Sequence, residues 1–216
     1  MFRPRWLAWL TGCCLLFAAL QFSSAAVIHA KAWLAPILIE RAWHATLAGH
    51  HPVAPWPWAD TWPVAQLKVP DLGISRLILS GSHGHALAFG PGHALESAPL
   101  GGAGLAVIAG HRDTHFAFLD RLLPGMSVLL AMPDGRQLEY RVIERRVVDV
   151  RQEPGPRWHT SDALLLVTCF PFDAITARGP LRYLVEAEPV DHVPLSMGHF
   201  AELSHSANLD DQRPLF

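Results

Sequence analysis

Cysteine is scarce in this chain. Three are present among 216 residues, and two of them, Cys13 and Cys14, are neighbours in an apolar run near the N-terminus. Cys169 is thereby left without an evident disulfide partner, which excludes the disulfide framework that staples many small secreted domains. An excess of charge of either sign is also lacking. The formal net charge of −2 at pH 7 offers no basic footprint for nucleic acid. Charged residues make up only 17% of the chain, against eighteen prolines and sixteen glycines, which argues against a helical bundle and for a turn-rich β protein. The length suits one domain with a real core plus a targeting or anchoring segment, and is short for two ordinary domains.

The N-terminus carries the longest apolar run. Arg3 and Arg5 are followed by an uncharged stretch from Trp6 to Ile28. As a helix this stretch covers roughly 34 Å, enough for a hydrocarbon core of about 30 Å with some tilt. Residues 1–30 are therefore read as a single-pass signal anchor, with the arginines cytoplasmic and the remainder on the outer, periplasmic side of the inner membrane. "SSA" before Ala26 is a tolerable signal-peptidase site, while "LTGC" at Leu10–Cys13 follows too few apolar residues for a lipoprotein signal. A retained anchor is preferred because "AWLAPILIERAWHATLAG" continues directly as an amphipathic helix over residues 31–49, suited to a membrane surface. Six of the eight tryptophans, Trp6, Trp9, Trp33, Trp43, Trp56 and Trp58, precede residue 60, as an interfacial location favours.

"HHPVAPWPWADTWP", residues 50–63, has four prolines and reads as an extended linker. From Val64 the texture changes. "AQLKVP", "RLILSG", "GLAVIAG", "MSVLLAM", "RQLEYRVIERRVVDV", "ALLLVTC" and "LRYLVEAEPV" are aliphatic or β-branched runs divided by Gly, Pro and Asp, with an Asp-Gly hairpin turn in "PDGRQ". Only "THFAFLDRL" has helical spacing, with Phe116, Leu119 and Leu123 on one side. The pattern predicts a mostly β fold, a closed or nearly closed barrel of seven to eight strands with one or two short helices, over residues 64–191. Residues 192–216 are polar and unpatterned and read as a loose tail.

On the exported side of a membrane, an unpaired thiol is either buried or used. Free cysteine is commonly buried, but Cys169 ends an apolar strand and precedes Phe170-Pro171-Phe172, which argues that it reaches a surface. A thiol nucleophile needs a base or a cation beside it, and an acyl intermediate needs donors for its oxyanion. Thirteen histidines are available. His111 stands out because it follows the strand "GLAVIAG" at the mouth of a turn, although such a residue also simply ends strands. Arg182 in "GPLRYLVEA" lies opposite Leu181, Tyr183 and Val185 by alternation; it is either a solvated charge or a cleft cation that needs an anionic partner.

Taken together, "IAGHRDTHF", "LLLVTC" and "LRYLVEA", in the chain order His, Cys, Arg, resemble the sortase family of membrane-anchored cysteine transpeptidases, over roughly residues 55–190. The family's Thr-Leu-x-Thr-Cys motif appears as Leu165-Leu166-Val167-Thr168-Cys169, with leucine for the first threonine. "PWPWADTWPVAQLKVPDLGI", "LAFGPGH" and "AGHRDTHFAFL" look most like the sortase subgroup of Gram-negative bacteria. The resemblance implies Cys169 as nucleophile, His111 as proton shuttle, Arg182 as substrate and oxyanion clamp, and Thr168 in substrate binding. It implies no cofactor and no metal. The partners it implies are a secreted protein with a C-terminal sorting signal, an amine-bearing surface acceptor, and the membrane.

Other signals fit less well. "HRDTH" is similar to a His-Glu-x-x-His zinc motif, but Arg112 stands where the general-base glutamate belongs; with His83, His85 and His93 it reads as loop histidines rather than a metal site. Asp113 is either an orienting partner for His111 or, preferably, the cap of a helix starting near Thr114. "GGAG" at Gly101–Gly104 lacks the context of a nucleotide loop. A different class remains open, a membrane-tethered β-barrel binding module whose thiol is structural.

Overall fold

Period-two burial shapes the domain. In the computed structural model, which describes residues 5–49, 51–152, 162–174 and 179–190, the run Pro63–Val69 (β1) alternates strictly between buried and half-buried positions. Ala65, Leu67 and Val69 point inward with no solvent exposure. Seven further strands follow: β2 (Ile74–Ser80), β3 (Gly92–His93), β4 (Leu105–Ala109), β5 (Ser127–Ala131), β6 (Gln137–Asp149), β7 (Ala163–Cys169) and β8 (Leu181–Pro189). They close into a barrel in the order β1-β2-β3-β4-β7-β8-β6-β5. All seven runs read from the sequence are strands, and the two-residue β3 is the addition.

Two of the pairings are parallel, β2 with β3 and β4 with β7. The second explains why "LAVIA" and "ALLLV" are almost uninterruptedly apolar: both faces of these strands are covered. Ala106, Ile108, Leu164, Leu166, Val185 and Ala187 join the main core inside the barrel. Leu105, Ala163, Leu165 and Leu184, with Val107, Val148 and Val167 against them, form a smaller cluster on the outer face.

Between the strands lie a short helix α2 (Gly84–Phe89) and two 3-10 turns, Pro70–Leu72 and Ala117–Arg121. "GHALAF", read as loop, is thus helical. The helix expected in "THFAFLDRL" shrinks to the second of these turns, which buries Phe118 and Leu119. Leu122 is buried and Leu123 exposed, the reverse of the helical spacing. At the β5–β6 hairpin the Asp-Gly turn is as read, with Gly135 at φ +84°, which favours glycine.

The N-terminal segment is one helix, α1 (Arg5–Leu47), rather than an anchor followed by a separate amphipathic helix. Ala35, Ile39, Ala42, Trp43 and Thr46 are buried at i, i+4, i+7, i+8 and i+11, and α1 meets the barrel at β1. The apolar stripe assigned to a membrane surface is therefore spent on the protein itself. The linker folds back beside it: Trp56 meets Phe89 edge-on at 5.1 Å, and the Thr61 hydroxyl donates to the Ser80 carbonyl at 2.7 Å. Among the described residues no helix is long and apolar enough to cross a membrane, so the transmembrane helix read from the sequence gains no support from the fold. The proposed C-terminal tail, 192–216, lies outside the described residues.

Candidate active site

Register brings the three sequence-predicted residues to one end of the barrel. In the β7–β8 ladder Cys169 stands directly across from Arg182, and Val148 of β6 is the partner of Arg182 on its other side. β4 runs parallel to β7 at a constant offset, from Leu105 opposite Ala163 to Ala109 opposite Val167. The Gly110 N–H continues the ladder by donating to the Val167 carbonyl at 3.1 Å. The same offset sets His111 level with Cys169.

Alternation then fixes the face. Residues 163, 165 and 167 of β7, 105 and 107 of β4, and 184 of β8 belong to the outer cluster. Cys169, His111 and Arg182 share their parity and so lie on the outer side of the barrel wall, as extensions of an apolar floor. Cys169 is a free thiol and half-buried. His111 is exposed, and its ring has no hydrogen-bond partner among the described residues. Arg182 is half-buried; its Nη1 donates to the carbonyls of Gly179 at 2.7 Å and Leu181 at 2.9 Å, which tethers the side chain beside its own strand start.

Thr168 falls elsewhere. Its parity is that of the core; the side chain is buried, and its hydroxyl donates to the Gly110 carbonyl at 2.8 Å. There it stitches the strand end before His111 to the strand end before Cys169.

Sequence reasoning missed Arg112. Its side chain is only 4% exposed. Nε and Nη2 donate to the two carboxylate oxygens of Asp113 at 2.6 and 3.2 Å, and Nη1 and Nη2 donate to the carbonyls of Pro171 at 2.6 Å and Ala174 at 2.8 Å. The hydrogen bond to Asp113, then its charge, push the guanidinium pKa upward against burial, with Cys169 and Asp173 acting in the same direction. The reciprocal hydrogen bond from Arg112 holds the Asp113 carboxyl below its ordinary range, with the Arg112 and His111 charges assisting. Asp113 accordingly caps no helix: the 3-10 turn has Phe116 at its N-cap and no side-chain cap. The signal that pointed to Arg112 was the adjacency of arginine and aspartate directly after a strand, in a sequence otherwise poor in charge.

Behind the site, Phe170 stacks on Tyr183 at 6.1 Å and Phe172 meets Tyr183 edge-on at 5.1 Å, so the chain leaving Cys169 is held by rings packed toward the core. Two of the histidines weighed as metal ligands, His83 and His93, have local partners. His83 pairs with Glu96 at 3.4 Å, and Nε2 of His93 bonds the Ala98 carbonyl at 2.9 Å.

At one rim, then, this eight-stranded barrel carries a thiol, an imidazole and a guanidinium. The Sortase domain family matches residues 67–190, more than half of the chain, and the chain belongs to the sortase family. It is 28% identical over 125 residues to Sortase D of Bacillus subtilis, an alignment covering 57% of this chain and 62% of that relative, so less than two thirds of the curated protein is represented. Among solved structures, sortase C-1 from Actinomyces oris superposes with a TM-score of 0.53 at 28% identity, over 60% of this chain and 75% of that one. Sortase A from Corynebacterium diphtheriae does so with a TM-score of 0.54 at 28% identity, over 69% and 70%.

Proposed function

We propose that this sortase is a membrane-anchored transpeptidase that cleaves a sorting motif near the C-terminus of a secreted protein and transfers the acyl part to an amine. The observation that carries this reading is the single row formed by Arg182, Cys169 and, at the matching height, His111. In the first half-reaction the Cys169 thiol passes its proton to His111, the sulfur attacks the scissile carbonyl and the C–S bond forms, and the C–N bond breaks as His111 delivers that proton to the departing amine. In the second, an incoming amine attacks the thioester, His111 takes its proton, and the C–S bond breaks as His111 returns that proton to the sulfur, regenerating the thiol. Arg182 holds the substrate and donates to the carbonyl oxygen as charge develops there, a task suited to a fixed guanidinium fork.

The anchor rests on the uncharged run Trp6–Ile28 and on the outward apolar side chains of Trp9, Leu10, Leu15, Leu16, Phe17, Leu20 and Phe22 in α1. A helix that is apolar all round suits lipid better than water. The same run supports an inner-membrane location with the barrel on the periplasmic side. The subgroup reading, a sortase of Gram-negative type, rests on the motif resemblance in "PWPWADTWPVAQLKVPDLGI" and "AGHRDTHFAFL".

Incubating the protein with candidate C-terminal peptides and trapping the thioester by mass spectrometry tests the reading. A covalent adduct on Cys169, absent in Cys169→Ala, is expected. Processing of a substrate by Cys169→Ala at the native rate would refute it and return the barrel to a binding module.

A further inference from the structure

The loop after β4 carries His111 and the loop after β7 leaves directly from Cys169, yet neither is a regular element. Loops at such positions drift unless something fixes them. Sixty residues of chain, roughly, separate them, so the fixing has to be tertiary. The buried guanidinium of Arg112 meets that need: it sits next to His111 in sequence, and its Nη1 and Nη2 bond the carbonyls of Pro171 and Ala174, two and five positions past Cys169. We propose that Arg112 is a positioning residue of the acyl-transfer site, fastening the loop that carries His111 to the loop that leaves Cys169 and so holding imidazole and sulfur at one height. This inference rests on the reading of Cys169 and His111 as nucleophile and proton shuttle.

Three features separate a positioning role from a merely filled cavity. A guanidinium buried to 4% exposure is costly unless its donors are satisfied, and here a bidentate carboxylate and two carbonyls satisfy them. Both cross-loop acceptors are backbone oxygens, so the fork holds the course of the chain rather than a neighbouring side chain. Finally, Phe170 N–H bonds the Leu181 carbonyl at 3.1 Å, so the residue between Cys169 and the clamp is pinned from the β8 side as well. Lysine cannot substitute, because a point charge on a flexible stem cannot reach three acceptors in the plane of the fork.

The test uses the full chain with Cys13→Ser and Cys14→Ser, so that iodoacetamide reports on Cys169 alone. Alkylation rates at neutral pH are compared for Arg112, Arg112→Lys and Arg112→Gln, each with and without His111→Ala. Misplacing a base by about an ångström costs up to roughly 100-fold, so Arg112→Gln is expected to slow alkylation about 10- to 100-fold. Arg112→Lys should slow it nearly as much although the charge is kept. Once His111 is replaced, Arg112→Gln should add no further slowing, as coupled residues in a double-mutant cycle do. If His111→Ala slows alkylation while both Arg112 variants react at the parent rate, the positioning role falls and the catalytic reading stands. Slowing by Arg112→Gln that persists in the His111→Ala background also overturns it, since Arg112 then does not act through the imidazole. If His111→Ala alone changes nothing, the pairing of His111 with Cys169 fails and this inference with it. Should Arg112→Gln not fold, Arg112→Lys, which keeps the charge and loses the fork, carries the test alone; alkylation of that variant at the parent rate overturns the proposal.

Discussion

Gly110 is the residue on which the placement of His111 turns, and Gly110→Ala measures how tightly. An added Cβ would stand 2.7 Å from Cγ and 2.8 Å from Cδ2 of Phe116, about an ångström inside ordinary carbon contact. The ring has no room to yield: Phe116 is fully buried and lies edge-on to Phe118 at 5.7 Å. The backbone has little more, because the Gly110 N–H bonds Val167, the Gly110 carbonyl takes the Thr168 hydroxyl, and the Phe116 N–H bonds the His111 carbonyl at 3.0 Å. Gly110 is not in the left-handed region, so alanine is sterically allowed and gains about 0.4–1 kcal/mol from the unfolded chain. Overpacking costs about 1–3 kcal/mol and wins. A net loss of about 1–2 kcal/mol should lower the urea midpoint by roughly 0.5–1 M, with the slope unchanged. Phe116→Leu in the same chain should relieve part of the loss, giving a cycle in which the double variant is more stable than the sum of the two penalties. Gly110→Ala as stable as the parent, or penalties that simply add, would refute the packing of Phe116 beneath the strand end.

Three further outcomes follow from the same geometry. Thr168→Val keeps the shape but leaves the buried Gly110 carbonyl without its hydroxyl, and should cost about 1–3 kcal/mol in chemical denaturation, with Thr168→Ser largely restored. Arg182→Lys should lose on the order of 100-fold in thioester formation with little change in melting temperature, since its described hydrogen bonds reach only its own strand start. The pKa of His115 is lowered by burial, with the Arg76 and His111 charges adding to the effect and a hydrogen bond to Ala88 working against it. The folded protein therefore prefers the neutral ring, and this contribution is complete above pH 6.5 and is lost as the pH falls below it. Melting curves should show less acid destabilisation in His115→Gln than in the parent.

The barrel was legible because its strands carry period-two or continuous apolar patterns, and the order His, Cys, Arg was legible because each residue closes or opens such a run. What was not legible has common physical causes. The inward face of Thr168 does not show in a motif match: adjacent strand residues point to opposite faces, and its hydroxyl bonds across to Gly110. Arg112 reads in the sequence only as a residue that spoils a zinc motif, because the carbonyls of Pro171 and Ala174 that satisfy its buried guanidinium are supplied by the tertiary fold alone. The stripe Ala35–Thr46 has the spacing of a surface helix, and periodicity does not state which surface; the barrel wall took it.

The strand directions explain why His111, Cys169 and Arg182 meet at this end of the barrel. β4 and β7 are parallel, so their C-terminal ends coincide, and Cys169, the last residue of β7, and His111, just past the end of β4, arrive at the same rim. β8 is antiparallel to β7, which brings its beginning, and hence Arg182, to that rim as well. An antiparallel β4–β7 pair would have carried His111 a strand length away from the sulfur. Parity completes the condition: a one-residue slip of β7 would turn Cys169 into the core and expose Thr168. Leu164 and Leu166 on the inner face and Leu165 on the outer are each at most 1% exposed, so a slip would have to unseat large side chains on both sides of the wall at once. The leucine that replaces the motif's first threonine thus contributes to fixing the register that presents the thiol.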